Sequence, residues 1–216
     1  MPDLRIKPND RVALVGKTTS GKTFAARLLL SDRHRLMACD PKGTLGRSKG
    51  QEDWNLEEWS DKARRRLLKG NEIRVRIPPP SPKLSGKEIT GYWEQFFQYA
   101  YDAGNIVVYI DEMYGVLPRL GAPPTTYLNA IYTRGRELGI GVWAASQRPA
   151  WIPRTMLSEA ETFFMFRLLY PNDRKLMAQI MGPAVLNDVR DEHGFWLYNV
   201  AWNQPVYIKS IVRKAA

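Results

Sequence analysis

Only one cysteine, Cys39, and two histidines, His34 and His193, occur in the 216 residues. A lone cysteine excludes an internal disulfide framework and any cysteine-based zinc cluster. Neither histidine has a ligand-like neighbour at metal spacing, so no structural metal site is expected. Long apolar runs are missing too. No stretch approaches the ~18 uninterrupted apolar residues of a membrane span, and the opening MPDLRIKPND is too polar for a signal peptide. The expectation is a soluble, intracellular protein. Acidic charge is also short, with 22 Asp and Glu against 32 Lys and Arg and a formal net charge of +10. Such an excess favours a polyanionic partner, although a merely basic, solvated surface is the plainer alternative. Internal repeats and low-complexity tracts are absent. The apolar fraction of 44% is ample for a core, and the length suits one domain spanning 1–216.

Apolar strands are read at 11–16 (RVALVG), 35–40 (RLMACD), 105–112 (NIVVYIDE) and 140–146 (IGVWAAS). A further strand at 71–77 (NEIRVRI) alternates apolar and charged residues, as a half-exposed strand does. Helices are read at 21–33, 55–69, 85–103 and 125–138. The second rests on Leu56, Trp59, Ala63 and Leu67, and the last on Leu128, Ile131, Gly135 and Leu138 as its inward face. Between them PPPSPK (78–83) is a stiff, extended connector. Residues 151–216 mix helical pieces, 172–181 and 184–189, with strands at 162–169, 194–200 and 205–212. Strands alternating with helices predict an α/β sandwich on a mainly parallel sheet. The last strands would extend it antiparallel at one edge.

The polar residues crowd most densely where the first strand ends. Gly16-Lys17-Thr18-Thr19-Ser20-Gly21-Lys22-Thr23 satisfies G-x-x-x-x-G-K-[ST]. Glycines let the backbone curl so that successive N–H groups point inward at phosphate oxygens, and the following helix offers its positive end to the same anion. Lys22 would reach the β- and γ-phosphates, and the Thr23 hydroxyl would ligate Mg²⁺. Lys17 is an extra cation with no role in the pattern. With a strand before it and a helix after it, this segment predicts a nucleoside triphosphate site.

Hydrolysis needs more than a cradle. Asp111 and Glu112 end an apolar strand, where the first acid would organise Mg²⁺ and the second orient and polarise an attacking water. Gln147 follows VWAAS in the same manner and carries both a donor and an acceptor, which would bridge water and γ-phosphate. Gly16, Asp111 and Gln147 all lie just past the carboxyl ends of strands, the edge of a parallel sheet where ligands bind. Arg134 and Arg136 close the preceding helix. The periodicity turns Arg136 away from the core, where it would reach a neighbouring subunit's γ-phosphate as an arginine finger, and puts Arg134 nearer the border.

Together GKTTSGKT, VVYIDE and GRELGIGVWAASQRP resemble the FtsK–HerA superfamily of DNA-pumping ATPases, and DPKG (40–43) is similar to a segment of its HerA-type members. The resemblance covers about 11–150. It implies a RecA-like (ASCE) P-loop core, assembled as a ring, a hexamer in most members, that moves double-stranded DNA. By position it makes Lys22 and Thr23 the phosphate and Mg²⁺ residues, Asp111 and Glu112 the metal-organising acid and catalytic glutamate, Gln147 the sensor and Arg136 the trans-acting finger. Arg148 belongs to the same motif without a role. The short core looks like the genome-packaging ATPases of icosahedral viruses with an internal membrane, which implies capsid or internal-membrane partners at a packaging vertex. Two rivals stay open: a small P-loop nucleotide kinase, and an ATP-binding virion assembly or export protein. For DNA phosphates, the dense basic clusters are Lys62-Arg64-Arg65-Arg66-Lys69 and Lys209-Arg213-Lys214.

Overall fold

The computed structural model describes residues 5–46, 54–118 and 123–210. In chain order the elements are β1 (Arg11–Val15), α1 (Lys22–Leu29), β2 (Arg35–Cys39), β3 (Glu57–Glu58), α2 (Asp61–Leu68), β4 (Ile73–Ile77) and α3 (Gly86–Ala103). There follow β5 (Val107–Ile110), α4 (Thr126–Thr133), β6 (Gly141–Ser146), α5 (Arg154–Ser158), β7 (Thr162–Met165), α6 (Pro171–Met181), β8 (Phe195–Asn199) and β9 (Val206–Ile208). The strands form a single sheet in the order β3-β4-β2-β5-β6-β1-β7-β8-β9. Every pairing from β3 to β7 is parallel, and β7-β8 and β8-β9 are antiparallel. The last two strands, β8 and β9, therefore extend the sheet antiparallel at one edge, as expected. Arg213 and Lys214 and the end of the 205–212 strand lie outside the described residues.

Successive residues of a strand point to opposite faces, and here both faces are covered. Ala13, Val15, Met37, Cys39, Val108, Ile110 and Val142 pack with Trp93 and Phe97 of α3 and Leu128 and Ile131 of α4. Val12, Leu14, Leu36, Ala38, Tyr109 and Trp143 pack on the other side with Ala25 and Ala26 of α1. Burial on two faces is why the central strands read as unbroken apolar runs.

Several elements differ from their sequence expectation, each for a local reason. The helix read over 55–69 begins only at Asp61, because Ser60 caps it by accepting the Ala63 N–H at 3.2 Å. Upstream, Glu57 and Glu58 join β4 as an edge strand, and Trp59 packs on Phe96 and Tyr99. β4 is buried rather than half-exposed. Arg76 is only 2% exposed and pairs with Asp40 and Glu58, while Arg74 donates to the carbonyls of Leu30 and Trp54. α4 stops at Thr133, short of 138. The buried Arg11 guanidinium donates to the Tyr132 and Ile131 carbonyls, which supplies the cation and donors a helix end needs. Leu138, past that end, is exposed instead of inward-facing. The 184–189 piece keeps only a short 3₁₀ turn at Pro183–Leu186, and α5 had no expectation.

Candidate functional site

β6 lies between β1 and β5, so three loops meet at the carboxyl edge of the sheet: 16–23 after β1, 111–115 after β5 and 147–151 after β6. The first loop is anchored on both sides, Gly16 N–H to Ser146 O at 3.1 Å and Lys17 N–H to Arg167 O at 2.8 Å. Its curl uses left-handed backbone at Thr19 and at Gly21, φ 62° and 104°. Gly16 is packed so closely that a Cβ there would sit 2.6 Å from Phe166 Cβ.

Lys22 opens α1 and is almost fully buried, with Nζ donating to Gly16 O at 2.7 Å and Lys17 O at 2.8 Å. Burial, with Lys42 nearby, pulls its pKa down to about 8, against the opposing pull of Glu112 and Asp111. Thr23 Oγ1 donates to Asp111 Oδ1 at 2.9 Å. The same oxygen accepts Tyr109 OH at 2.7 Å, and burial followed by Asp111 pushes the Tyr109 hydroxyl well above its ordinary range, so it stays a donor. Glu112, 1% exposed, accepts the Gln147 backbone N–H at 3.3 Å. The Gln147 side chain in turn accepts Thr18 Oγ1 at 2.8 Å. Lys22, Thr23, Asp111, Glu112 and Gln147 are thus brought together.

No protein-family model matches the chain. The DNA packaging ATPase P9 of Enterobacteria phage PRD1 is 28% identical over 185 residues, 78% of this chain and 69% of that protein. Among solved structures, the genome packaging NTPase B204 of Sulfolobus turreted icosahedral virus 2, in complex with AMPPCP, superposes with a TM-score of 0.73. It is 18% identical and covers 96% of this chain and 100% of its own. The fold is that of a P-loop ATPase. VirB4 of Thermoanaerobacter pseudethanolicus shares it at a TM-score of 0.68 and 10% identity, covering 98% of this chain and 92% of that one. The chain is similar in sequence to a viral DNA packaging ATPase and in fold to a second.

The residues present suit a Mg²⁺-bound triphosphate. Ser20 Oγ is buried in the loop without a hydrogen-bond partner among the described residues, and the tight fit at Gly16 keeps the cradle's floor backbone only. Thr23 Oγ1 and the Asp111 carboxylate supply hard oxygen donors of the kind Mg²⁺ takes. Beside Gly21, at the start of α1, a pocket of about 300 Å³ is lined mostly by Phe24, Ala25, Phe166, His193 and Phe195.

The two arginines read as finger candidates, Arg136 and Arg134, lie elsewhere. Arg136 is at the amino edge of the sheet, past the end of α4, ion-paired with Glu161 just before β7. Arg134 caps α4 and is exposed. Arg148, which follows Gln147, donates through Nε to the buried Asp173 of α6 at 2.7 Å, and its guanidinium lies over the Trp151 and Tyr170 rings at 4.4 and 3.7 Å. Asp173 also accepts the Ala150 N–H at 3.0 Å, so Arg148 ties the Gln147 loop to α6. On α2, Arg64 pairs with Asp61 and Arg66 with Glu57, which neutralises part of that basic cluster.

Sequence reasoning assigned nothing to Lys42. Its Nζ lies 3.3 Å from Glu112 Oε2 and 3.6 Å from Asp111 Oδ2. The signal available was DPKG itself, but only the fold shows which acids that lysine meets.

Proposed function

We propose that this chain is an ATP-driven double-stranded DNA translocase, a viral genome-packaging motor hydrolysing ATP with Mg²⁺ in a ring of identical subunits. One observation carries the reading: Lys22, Thr23, Asp111, Glu112 and Gln147, which follow β1, β5 and β6, converge on one sheet edge, where Thr23 donates to Asp111 and the Gln147 N–H to Glu112. The backbone N–H groups of 16–23 and the positive end of α1 would hold the phosphates, with Lys22 on the β- and γ-oxygens. Thr23 and Asp111 would hold Mg²⁺, which when bound offsets the charge developing on the phosphate oxygens. Glu112 accepts a proton from the attacking water, and Gln147 orients that water against the γ-phosphate. The apolar pocket beside Gly21 takes the nucleobase, with Phe24 and Phe195 supplying its ring contacts.

DNA as the cargo is supported by the net charge of +10 and by the relative's name, DNA packaging ATPase. Lys62 and Arg65 of α2, Lys69 just past its end and Lys209 past β9 are exposed cations suited to phosphates. The ring, a hexamer, would sit at a packaging vertex against capsid or internal-membrane proteins, and its subunits would reach it from the host cytoplasm. Among the described residues no helix is long and apolar enough to cross a membrane.

The deciding measurement is ATP turnover with and without duplex DNA. Turnover is expected to rise on adding duplex. Glu112→Gln should retain nucleotide binding and lower kcat on the order of 10²–10⁴-fold, the usual worth of a general base. Phosphoryl transfer to a nucleotide acceptor, with no response to DNA, would identify a kinase instead. Unchanged turnover in Glu112→Gln would favour a binding-only assembly protein.

A further inference from the structure

The loop 40–43 is built with more care than a connector needs. Asp40, fully buried, accepts the N–H groups of Thr44 and Leu45 at 3.1 and 3.0 Å and the Arg76 Nε at 2.8 Å. Its own backbone N–H is bonded to Ile77 O at 3.0 Å, and its carbonyl accepts Gly43 N–H at 3.2 Å. Pro41 packs against Gly115 so closely that a Cβ on that glycine would meet Pro41 Cβ at 2.7 Å. The turn is thereby fixed against the segment that carries both acids. Lys42 is the residue it delivers. Its ammonium spans Asp111 and Glu112, two carboxylates that are 3% and 1% exposed and that repel each other when both are charged.

We propose that Lys42 is a built-in counter-cation for the Asp111–Glu112 pair: it positions Glu112 beside the loop and competes with the divalent cation for Asp111. This rests on the proposed reading of the site, in which Asp111 serves the metal. A cation already within 3.6 Å of Asp111 weakens the pull of that carboxylate on a second one. The metal then binds well only when a triphosphate adds its own negative charge. Lys42 thus makes metal occupancy conditional on nucleotide, and it keeps the Glu112 carboxylate from swinging away as the metal arrives. It is a positioning residue, acting on the reacting water through Glu112.

The test is Mn²⁺ binding to the full chain without nucleotide, followed by electron paramagnetic resonance of the free ion. Lys42→Met should bind Mn²⁺ at least tenfold more tightly than the wild type, whereas Lys42→Arg and the exposed-lysine control Lys87→Met should bind as the wild type does. Equal affinity of Lys42→Met and wild type would overturn the proposal. If Lys42→Met does not fold, the double variant Lys42→Met/Glu112→Gln, with one carboxylate already neutral, should fold; its failure to do so would also overturn it. In turnover assays Lys42→Met should lower kcat tenfold or more with little change in KM for ATP, and Lys42→Arg should recover most of it. A fall through KM alone would refute the positioning of Glu112. A wild type that turns over no ATP would defeat the ATPase reading, and the Mn²⁺ comparison would still decide the role of Lys42.

Discussion

Gly16 has no space for a side chain, and that makes it a sharp probe of the cradle. A methyl there would meet Phe166 Cβ at 2.6 Å and Ser20 Oγ at 2.8 Å, and the nearest of these is the root of a ring side chain that cannot swing aside. Gly16→Ala should therefore destabilise the chain by about 1–3 kcal/mol, the usual cost of overpacking, and abolish ATP binding by displacing the loop. Chemical denaturation and nucleotide titration check the two effects, and a variant with wild-type stability would show that the loop relaxes freely. At this scale the sequence was informative wherever function is local. The phosphate loop is one uninterrupted segment, so strand, turn residues and helix could be read together. Asp111, Glu112 and Gln147 were legible because each ends an apolar strand, and parallel strands share one edge. Lys42 was not legible. Its role depends on a buried Asp40–Arg76 pair that joins two strands 36 positions apart, a contact that no local pattern announces.

Helix boundaries show what periodicity leaves open. α3 begins where Ser85 and Glu88 form a reciprocal cap: Ser85 N–H and Oγ–H both donate to Glu88 Oε2, at 2.8 and 2.6 Å, and Glu88 N–H returns to Ser85 Oγ at 3.4 Å. Those bonds hold the Glu88 carboxyl below its ordinary value of 4.5. A folded pKa lower than the unfolded one means the stabilisation is present above 4.5 and disappears as pH falls through the folded value. Thermal unfolding of wild type and Glu88→Gln should accordingly show a gap in midpoint near neutrality that closes at strongly acid pH. A gap that persists there would assign the effect to geometry rather than charge. The span of α3 was legible because what bounds it, the PPPSPK connector before it and Gly104 after it, lies next to it in the sequence. α2 and α4 were misjudged because apolar spacing says nothing of where a helix stops. Ser60 starts one of them late, and Arg11, more than a hundred residues away, ends the other early. The two-faced burial of β4 was hidden for a related reason, since Arg76 is paired with Asp40 and Glu58 and Arg74 donates to the Leu30 and Trp54 carbonyls, all distant in sequence.

The whole molecule places Arg136 at the sheet edge opposite Lys22 and Glu112. Arg136 and its partner Glu161 sit at the edge where β1 and β7 begin, and Glu161 also accepts the Arg11 N–H at 2.7 Å. Lys22 and Glu112 sit where β1 and β5 end. The five residues of β1 separate the two edges, roughly 16 Å at 3.3 Å per residue. If Arg136 acts on a phosphate, that phosphate belongs to another subunit. Arg136→Ala and Lys22→Ala chains should each be inactive alone, the first for want of a donated finger and the second for want of a phosphate ligand. Mixed in equal amounts they should regain activity, because a closed ring of random order gives about a quarter of its interfaces one intact member of each kind. Arg134→Ala, exposed at the end of the same helix, serves as the parallel variant: rescue seen with it and not with Arg136→Ala would move the finger two residues back. No rescue with either, while mass in solution still shows a ring, would leave the Arg136–Glu161 pair a brace between the end of α4 and β7. Hydrolysis would then depend only on groups within one chain.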